Sequence, residues 1–213
     1  MIGQFEAAKA VTSFATRAYT AQDVQDAVAR AFSNFASQRP RPAYIEIPID
    51  TLKALAGARW TARGLPKKPI ADAENLRLAI EKLNDSKQPL MILGGGALES
   101  SSEALQVAEK LNAPVITTTA GKGAFPSSHP LCIGYRLSRD ATPAFLKKSD
   151  AILCVGSELS ETDFWDDRFI IKDNLIRIDI DPNSLARPHI AEIAILGDAK
   201  STLATLEIGR AHV

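Results

Sequence analysis

The segment PLMILGGG, residues 89–96, constrains the fold of this 213-residue chain more than any other. Leu90, Met91, Ile92 and Leu93 are apolar without alternation, the pattern of a strand covered on both faces of a parallel sheet. Gly94, Gly95 and Gly96 then permit a tight turn and leave nothing beyond Cα to obstruct an approaching ligand. A helix signal follows at residues 100–111, where Ser100 and Glu103 fit a capping box. The amide-rich start of such a helix carries partial positive charge. Strand, glycine turn and helix in that order form the phosphate-facing corner of an open α/β sheet.

The same alternation continues from residue 72 to the end. Asp72 opens a helix with Leu76, Ala79, Ile80 and Leu83 on one face. Residues 114–118 (PVITT) are β-branched and suit a buried strand. Residues 120–130 hold Gly121, Gly123, Pro126 and Pro130 and read as a loop, with a short strand at 131–133. Thr142 and Pro143 start another helix. Residues 151–156 (AILCVG), 175–180 (LIRIDI) and 192–196 are further strands, and a helix from Ala199 to about Glu207 closes the fold. These spacings suit right-handed crossovers, so an α/β class follows, with a parallel sheet and helices on both faces. Gly121, Gly156, Asp181 and Asp198 lie just past strand ends, along the edge where open α/β sheets bind ligands.

The first 52 residues do not fit into that plan. Residues 4–11 are a short helix candidate and 12–19 are extended. Thr20 caps an amphipathic helix with Asp23 at the third position, and Val24, Ala27, Val28, Ala31, Phe32 and Phe35 form its apolar stripe. Pro40 and Pro42 stop it, and residues 44–49 (YIEIPI) are a strand whose Pro48 marks an edge. Each apolar side chain of the stripe stabilises by roughly 1.5–3 kcal/mol when covered, and this segment holds too few partners to cover them. It reads either as a segment that packs on the later domain or, the preferred reading, as the end of a domain that begins earlier. Residues 53–71, with Gly57, Gly64, Pro66 and Pro69 and no period, read as a linker.

Composition excludes several classes of function. Twenty-five basic and 25 acidic residues cancel, so no global field attracts nucleic acid or an anionic membrane. No apolar run approaches the ~20 residues of a membrane span, and no signal peptide is visible. Cys132 and Cys154 lack CxxC spacing, and a reduced, cytoplasmic setting is the default.

Catalytic motifs are scarce. Gly94 and Gly96 fit the first two positions of a dinucleotide fingerprint, but Glu99 stands at the third, and residues 115–119 supply no ribose-binding acid, so the turn reads either as a corner that accepts phosphate or ribose or as a purely structural turn. No serine has GxSxG flanks, no metal-ligand spacing appears, and His129, His189 and His212 read as surface residues. Glu158, Glu161, Asp163, Asp166 and Asp167 follow the 151–156 strand beside Phe164 and Trp165. That stretch reads either as a solvated loop or as carboxylates and a ring that hold a cationic group.

Five segments together resemble a known family: RPRPAYIEIPIDTL (39–52), QPLMILGGGA (88–97), APVITTTAGKGAFPSSHPLCIG (113–134), SDAILCVGSEL (149–159) and LIRIDIDPNSLAR…ILGDA (175–199). In order and spacing they look like the thiamine-diphosphate-dependent 2-oxo acid enzymes of the acetolactate synthase type. The resemblance implies that residues 1–52 end a pyrimidine-binding domain, 53–71 link, and 72–206 form a central Rossmann-like domain with a six-stranded sheet. It implies thiamine diphosphate and Mg²⁺ in the full-length enzyme, a 2-oxo acid substrate, and a homodimer or homotetramer. The glutamate that activates thiamine would lie upstream of Met1 and the GDG…N motif for Mg²⁺ downstream, so this chain alone is expected to be inactive.

FAD is a further cofactor of acetolactate synthases, and the positions that would face it are Gly94, Gly95, Gly96, Thr118, Thr119, Gly156, Asp179, Ile180 and Asp198. Two departures stand out. Arg136 replaces a family histidine, and residues 156–162 (GSELSET) replace a run of the type GVRFDDR, removing arginines that contact FAD phosphate and the substrate side. Acid in place of arginine suits a 2-oxo acid with a positive tail, which makes the chain similar to 5-guanidino-2-oxopentanoate decarboxylases, and Glu158, Glu161 or Asp163 is the expected partner of the guanidinium or ammonium. Two other readings are a stand-alone flavin- or NAD-binding module of an electron-transfer protein, and a scaffold between two catalytic domains. The tail EIGRAHV, 207–213, resembles translated sequencing-adapter read-through and is expected to be non-native.

Overall fold

The computed structural model describes residues 3–210, apart from 58, 59, 136, 138–141, 165–170 and 172; the side chains of 207–210 are also outside the description. The chain divides into two compact units, 1–68 and 69–213.

The first unit contains α1 (Gln4–Lys9), β1 (Phe14–Arg17), α2 (Ala21–Ser37), β2 (Ala43–Glu46) and α3 (Ile49–Lys53). Strands β1 and β2 pair in parallel, Phe14 opposite Ala43 and Arg17 opposite Glu46, and the Arg17 Nε reaches Glu46 at 2.6 Å. The Thr20 hydroxyl accepts from the Asp23 amide at 3.1 Å and the Asp23 carboxylate accepts from the Thr20 amide at 3.0 Å. That is the reciprocal cap expected from the sequence. Ala27 and Ala31 of the α2 stripe are buried, whereas Phe32 is 56% exposed, its ring 6.0 Å from that of Phe35. The strand expected through residue 49 stops at Glu46. Pro48 is extended, at φ −60 and ψ 149, and stands as the N-cap of α3.

The second unit runs α4 (Ala73–Asp85), β3 (Pro89–Leu93), α5 (Ser101–Leu111), β4 (Val115–Thr117), β5 (Cys132–Gly134), α6 (Thr142–Lys148), β6 (Ala151–Val155), α7 (Glu161–Phe164), β7 (Leu175–Asp179), α8 (Pro182–Ala186), β8 (Ile193–Leu196) and α9 (Ala199–Arg210). Its six strands lie in the order β5-β4-β3-β6-β7-β8, every neighbouring pair parallel. The order runs outward from β3 in both directions, so it reverses between β3 and β6. This is the doubly wound topology, and the reversal opens a crevice at the carboxyl ends of those two strands.

Both faces of the inner strands β4, β3, β6 and β7 are covered, which is why those strands lack alternation, whereas edge strand β8 alternates buried and exposed residues. Met91, Leu93, Val115, Leu153, Val155, Ile176 and Ile178 pack with apolar residues of α4, α5 and α9 on one side. Leu90, Ile92, Ile116, Ile152, Cys154 and Leu175 face the other, against Leu146 of α6 and Leu159, Phe164 and Ile171. Asp72 caps α4 through the amides of Glu74 and Asn75 at 3.0 and 3.1 Å. The capping box expected at Ser100 is not formed. A 3-10 turn over Gly95–Ser100 leads into α5, and the buried Ser100 hydroxyl donates to the Ala97 carbonyl at 2.8 Å instead. Glu103 takes Lys200 of α9, at 3.8 Å.

Helices α7 and α8 were not expected. Asp181 accepts from the Asn183 amide at 3.0 Å and Pro182 occupies the first turn of α8, an arrangement suited to a residue with fixed φ and no N–H. Among the described residues no helix is long and apolar enough to cross a membrane. The backbone of α9 continues to Arg210; the expectation of a non-native tail falls on side chains and residues outside the described set.

Candidate functional site at the carboxyl edge of the sheet

Three loops meet at the crevice, and their glycines fit into each other. The Gly94 amide donates to the Val155 carbonyl at 2.9 Å and the Gly96 amide to the Gly156 carbonyl at 3.0 Å. A Cβ on Gly94 would lie 2.2 Å from the Gly156 carbonyl oxygen, and one on Gly121 would lie 2.1 Å from the Leu93 oxygen. Gly156 itself adopts φ +59, and its Cβ would lie 2.6 Å from the Gly96 backbone. Of the three glycines expected to leave space for a ligand, Gly94 and Gly96 have their Cβ positions filled by the main chain of Gly156, at 2.2 and 2.9 Å, which favours the structural reading of the turn. Gly95 is half-buried beside Ala120, and Gly96 is exposed.

The remaining predicted positions extend the same rim. Thr118 is buried; its amide donates to the Leu93 carbonyl at 2.9 Å and its hydroxyl accepts from the Gly121 amide at 3.0 Å. Thr119 is exposed, and its amide is held by the Asp163 carboxylate. Asp179 is buried at the end of β7, where its Oδ1 accepts from the Asp181 amide at 2.8 Å and its carbonyl from the Gly197 amide at 3.0 Å. Ile180 follows it, half-buried. Asp198 caps α9 through the Ser201 amide at 3.1 Å.

These residues were proposed to face FAD, and two of the donors needed do not fit. The amides of Gly94 and Gly96 already serve protein carbonyls, and one Asp179 oxygen already serves a backbone amide. A pyrophosphate cradle needs main-chain N–H groups that point outward.

The loop after β6 separates the predicted acids by environment. Glu158 and Glu161 are exposed, while Asp163 is 8% exposed. Burial pushes the Asp163 carboxyl above the ordinary aspartate range, opposed by the Ser160 and Thr119 amides and the Ser160 hydroxyl, with the Glu158 charge adding to the rise. Asp163 thus joins two loops rather than facing solvent. The ring of Phe164, expected to stand beside the acids as a cation-binding face, is buried in the core and packs edge-on against His189 at 5.5 Å. Trp165, Asp166, Asp167 and Arg136 lie outside the described residues.

One residue at this edge was missed. Arg177, third in β7, is 1% exposed. Its guanidinium donates to the carbonyls of Ser157 at 2.6 Å, Arg187 at 3.2 Å and His189 at 3.0 Å. The signal was a charged residue inside an apolar strand, read only as part of LIRIDI. His189, expected at the surface, is half-buried; burial and then the Arg177 charge push its imidazole below the ordinary histidine range. His129 is half-buried too. Its Nδ1 accepts from the Leu131 amide at 3.2 Å and its Nε2 meets Glu109 at 3.2 Å.

Fold and edge together define a doubly wound α/β domain with a packed glycine corner and an acidic loop beside it. Residues 76–206 match the family model described as the thiamine pyrophosphate enzyme, central domain, and the chain belongs to that family. It is 36% identical over 198 residues to "Probable 2-ketoarginine decarboxylase AruI" of Pseudomonas aeruginosa, covering 92% of this chain and 35% of that protein. It is 31% identical over 193 residues to the acetolactate synthase large subunit of Corynebacterium glutamicum, covering 86% of this chain and 31% of that one. The crystal structure of benzoylformate decarboxylase from Polynucleobacter necessarius shares the fold, with a TM-score of 0.74 and 22% identity over 91% of this chain and 37% of that chain. The chain therefore spans about a third of the length of the curated relatives it matches. Family membership sets aside the reading as a stand-alone flavin or NAD module.

Proposed function

We propose that residues 72–206 are the central domain, and 1–52 the end of the pyrimidine-binding domain, of a thiamine-diphosphate-dependent 2-oxo acid decarboxylase or carboligase. Its substrate is a 2-oxo acid with a cationic tail. The observation that carries the substrate reading is the loop after β6. Its acids Glu158 and Glu161 are exposed at the ligand edge, and the same loop is fastened at Ser157, Leu159 and Asp163. Carboxylates held on a fixed loop recognise a guanidinium or ammonium with little ordering cost. Likeness to a probable 2-ketoarginine decarboxylase, named for a substrate that carries a guanidinium, supports the same reading.

Thiamine diphosphate, bound with Mg²⁺, supplies the electron sink for the bond broken next to the 2-oxo group. No residue of this chain is assigned to hold either one. The enzyme works as a homodimer or homotetramer in the cytoplasm, without nucleic acid or membrane, and the 213-residue chain by itself turns over no 2-oxo acid. The central domain serves as scaffold and substrate-side wall rather than as a flavin carrier, since the Gly94 and Gly96 amides are spent. Single substitutions Glu158→Gln and Glu161→Gln in the full-length enzyme test the reading. Each is expected to raise KM for 5-guanidino-2-oxopentanoate by about tenfold, the scale of one charge-assisted contact, and to leave KM for pyruvate unchanged. Equal effects on both substrates would remove it.

A further inference from the structure

We propose that Arg177 is the positioning residue of the acidic loop, holding Glu158 and Glu161 at the ligand edge from strand β7 through the Ser157 carbonyl. The substrate half of this inference rests on the reading just given; the loop-holding half does not.

Among the described residues Arg177 is the largest fully buried side chain of the second unit. A buried guanidinium ordinarily sits against a carboxylate, because the cost of removing the charge from water is otherwise not offset. Among the described residues Arg177 makes no ion pair, and its Nε has no hydrogen-bond partner. Its three bonds go to main-chain carbonyls in two connections: Ser157, immediately before Glu158, and Arg187 and His189, between α8 and β8. Cys154, directly across the β6–β7 pair, cannot balance the charge, since burial pushes its thiol up to about 12. A planar fork is what spans carbonyls in two separate loops; an ammonium is a single point and an apolar side chain bonds none of them.

Other ties fasten the loop as well, and Leu159 and Phe164 are buried in the core on the same side of the sheet. The Ser157 hydroxyl accepts from the Leu159 amide at 3.0 Å, and Leu159 is fully buried at φ +50. Asp163 takes the Ser160 and Thr119 amides at the far end. Arg177 thus secures the entrance of the loop and Asp163 its exit, with Glu158 and Glu161 exposed between them.

The test uses the full-length enzyme with Arg177→Lys and Arg177→Met, compared with Glu158→Gln. Amide hydrogen exchange at Leu159 and Thr119 is expected to accelerate about tenfold or more in both arginine variants, more in Met than in Lys. Ile92 and Leu153 in the central strands are expected to stay within about twofold of wild type. KM for 5-guanidino-2-oxopentanoate is expected to rise about tenfold, with kcat and the KM for pyruvate nearly unchanged. Unaltered exchange at Leu159 and Thr119 overturns the proposal whatever the kinetics. If Arg177→Met does not fold, Arg177→Lys alone decides by the same criterion. Exchange that accelerates while KM for the cationic acid stays put, in an enzyme where Glu158→Gln does raise it, overturns the positioning role. If Glu158→Gln has no effect, the substrate reading fails, and the loop-holding role is judged on exchange alone.

Discussion

Gly96 and Gly156 lie back to back across the switch point of the sheet: the Gly96 amide donates to the Gly156 carbonyl at 3.0 Å, and a Cβ on Gly156 would meet the Gly96 backbone at 2.6 Å. The contact joins the turn after β3 to the turn after β6, and with them the two halves of the doubly wound sheet. Gly156→Ala is expected to destabilise the second unit by about 2–6 kcal/mol, combining about 1–3 for a side chain at positive φ with about 1–3 for overpacking. Urea unfolding of the variant checks this; a loss below about 1 kcal/mol would mean that the two turns are free to part.

At the opposite end of the same two strands, Asp150 accepts from the Ser86 hydroxyl and from the amides of Lys87 at 2.7 Å and Gln88 at 3.0 Å. Burial opposes ionisation, but these three donors together hold its carboxyl below the ordinary aspartate range. A depressed carboxyl adds stability above its unfolded pKa, and that contribution is lost as pH falls through the folded value. Asp150→Asn is therefore expected to lower Tm at pH 7 and to converge with wild type in acid. A gap that widens on acidification would contradict the assignment.

Asp163 carries the opposite sign. Its folded carboxyl is raised, first by burial, so the folded state binds the proton more tightly than the unfolded one. Its contribution is fully present below the unfolded pKa and is lost as pH rises through the raised value. Relative to Asp163→Asn, wild type is expected to gain stability on going from pH 7 to pH 4, which paired thermal melts would reveal. A relative loss would show that the amides of Thr119 and Ser160 outweigh burial.

If the glycine corner is packed rather than receptive, FAD is expected to leave the melting temperature of the protein unchanged, and no yellow flavin to co-purify. A ligand present at a hundred times its Kd would add about 2.7 kcal/mol and move Tm by several degrees. Such a shift would contradict the scaffold reading.

How much of this was legible before the fold was known depends on the kind of residue. Runs such as PLMIL and AILCV reveal their burial directly, because a strand covered on both faces needs no polar position, and β3 and β6 follow from composition alone. The cap at Thr20 and Asp23 is also local, since two residues three positions apart hold every atom involved. Ser100 carried the same local signal and failed, because a 3-10 turn starting at Gly95 spends its hydroxyl on Ala97. The glycines identified the corner but not what fills it: the atoms that occupy the Cβ position of Gly94 come from residues 156 and 157. Arg177 was invisible for the same reason. Its carbonyl partners at Ser157, Arg187 and His189 are brought together by the crossover between strands, and nothing in LIRIDI names them.

The substrate reading is tested most directly by kcat/KM for 5-guanidino-2-oxopentanoate relative to pyruvate, measured in the full-length enzyme and in its Glu158→Gln, Glu161→Gln double variant. The account predicts a wild-type preference for the cationic acid that falls by about tenfold or more in the double variant, with pyruvate turnover preserved. A ratio that is the same in both enzymes would contradict it.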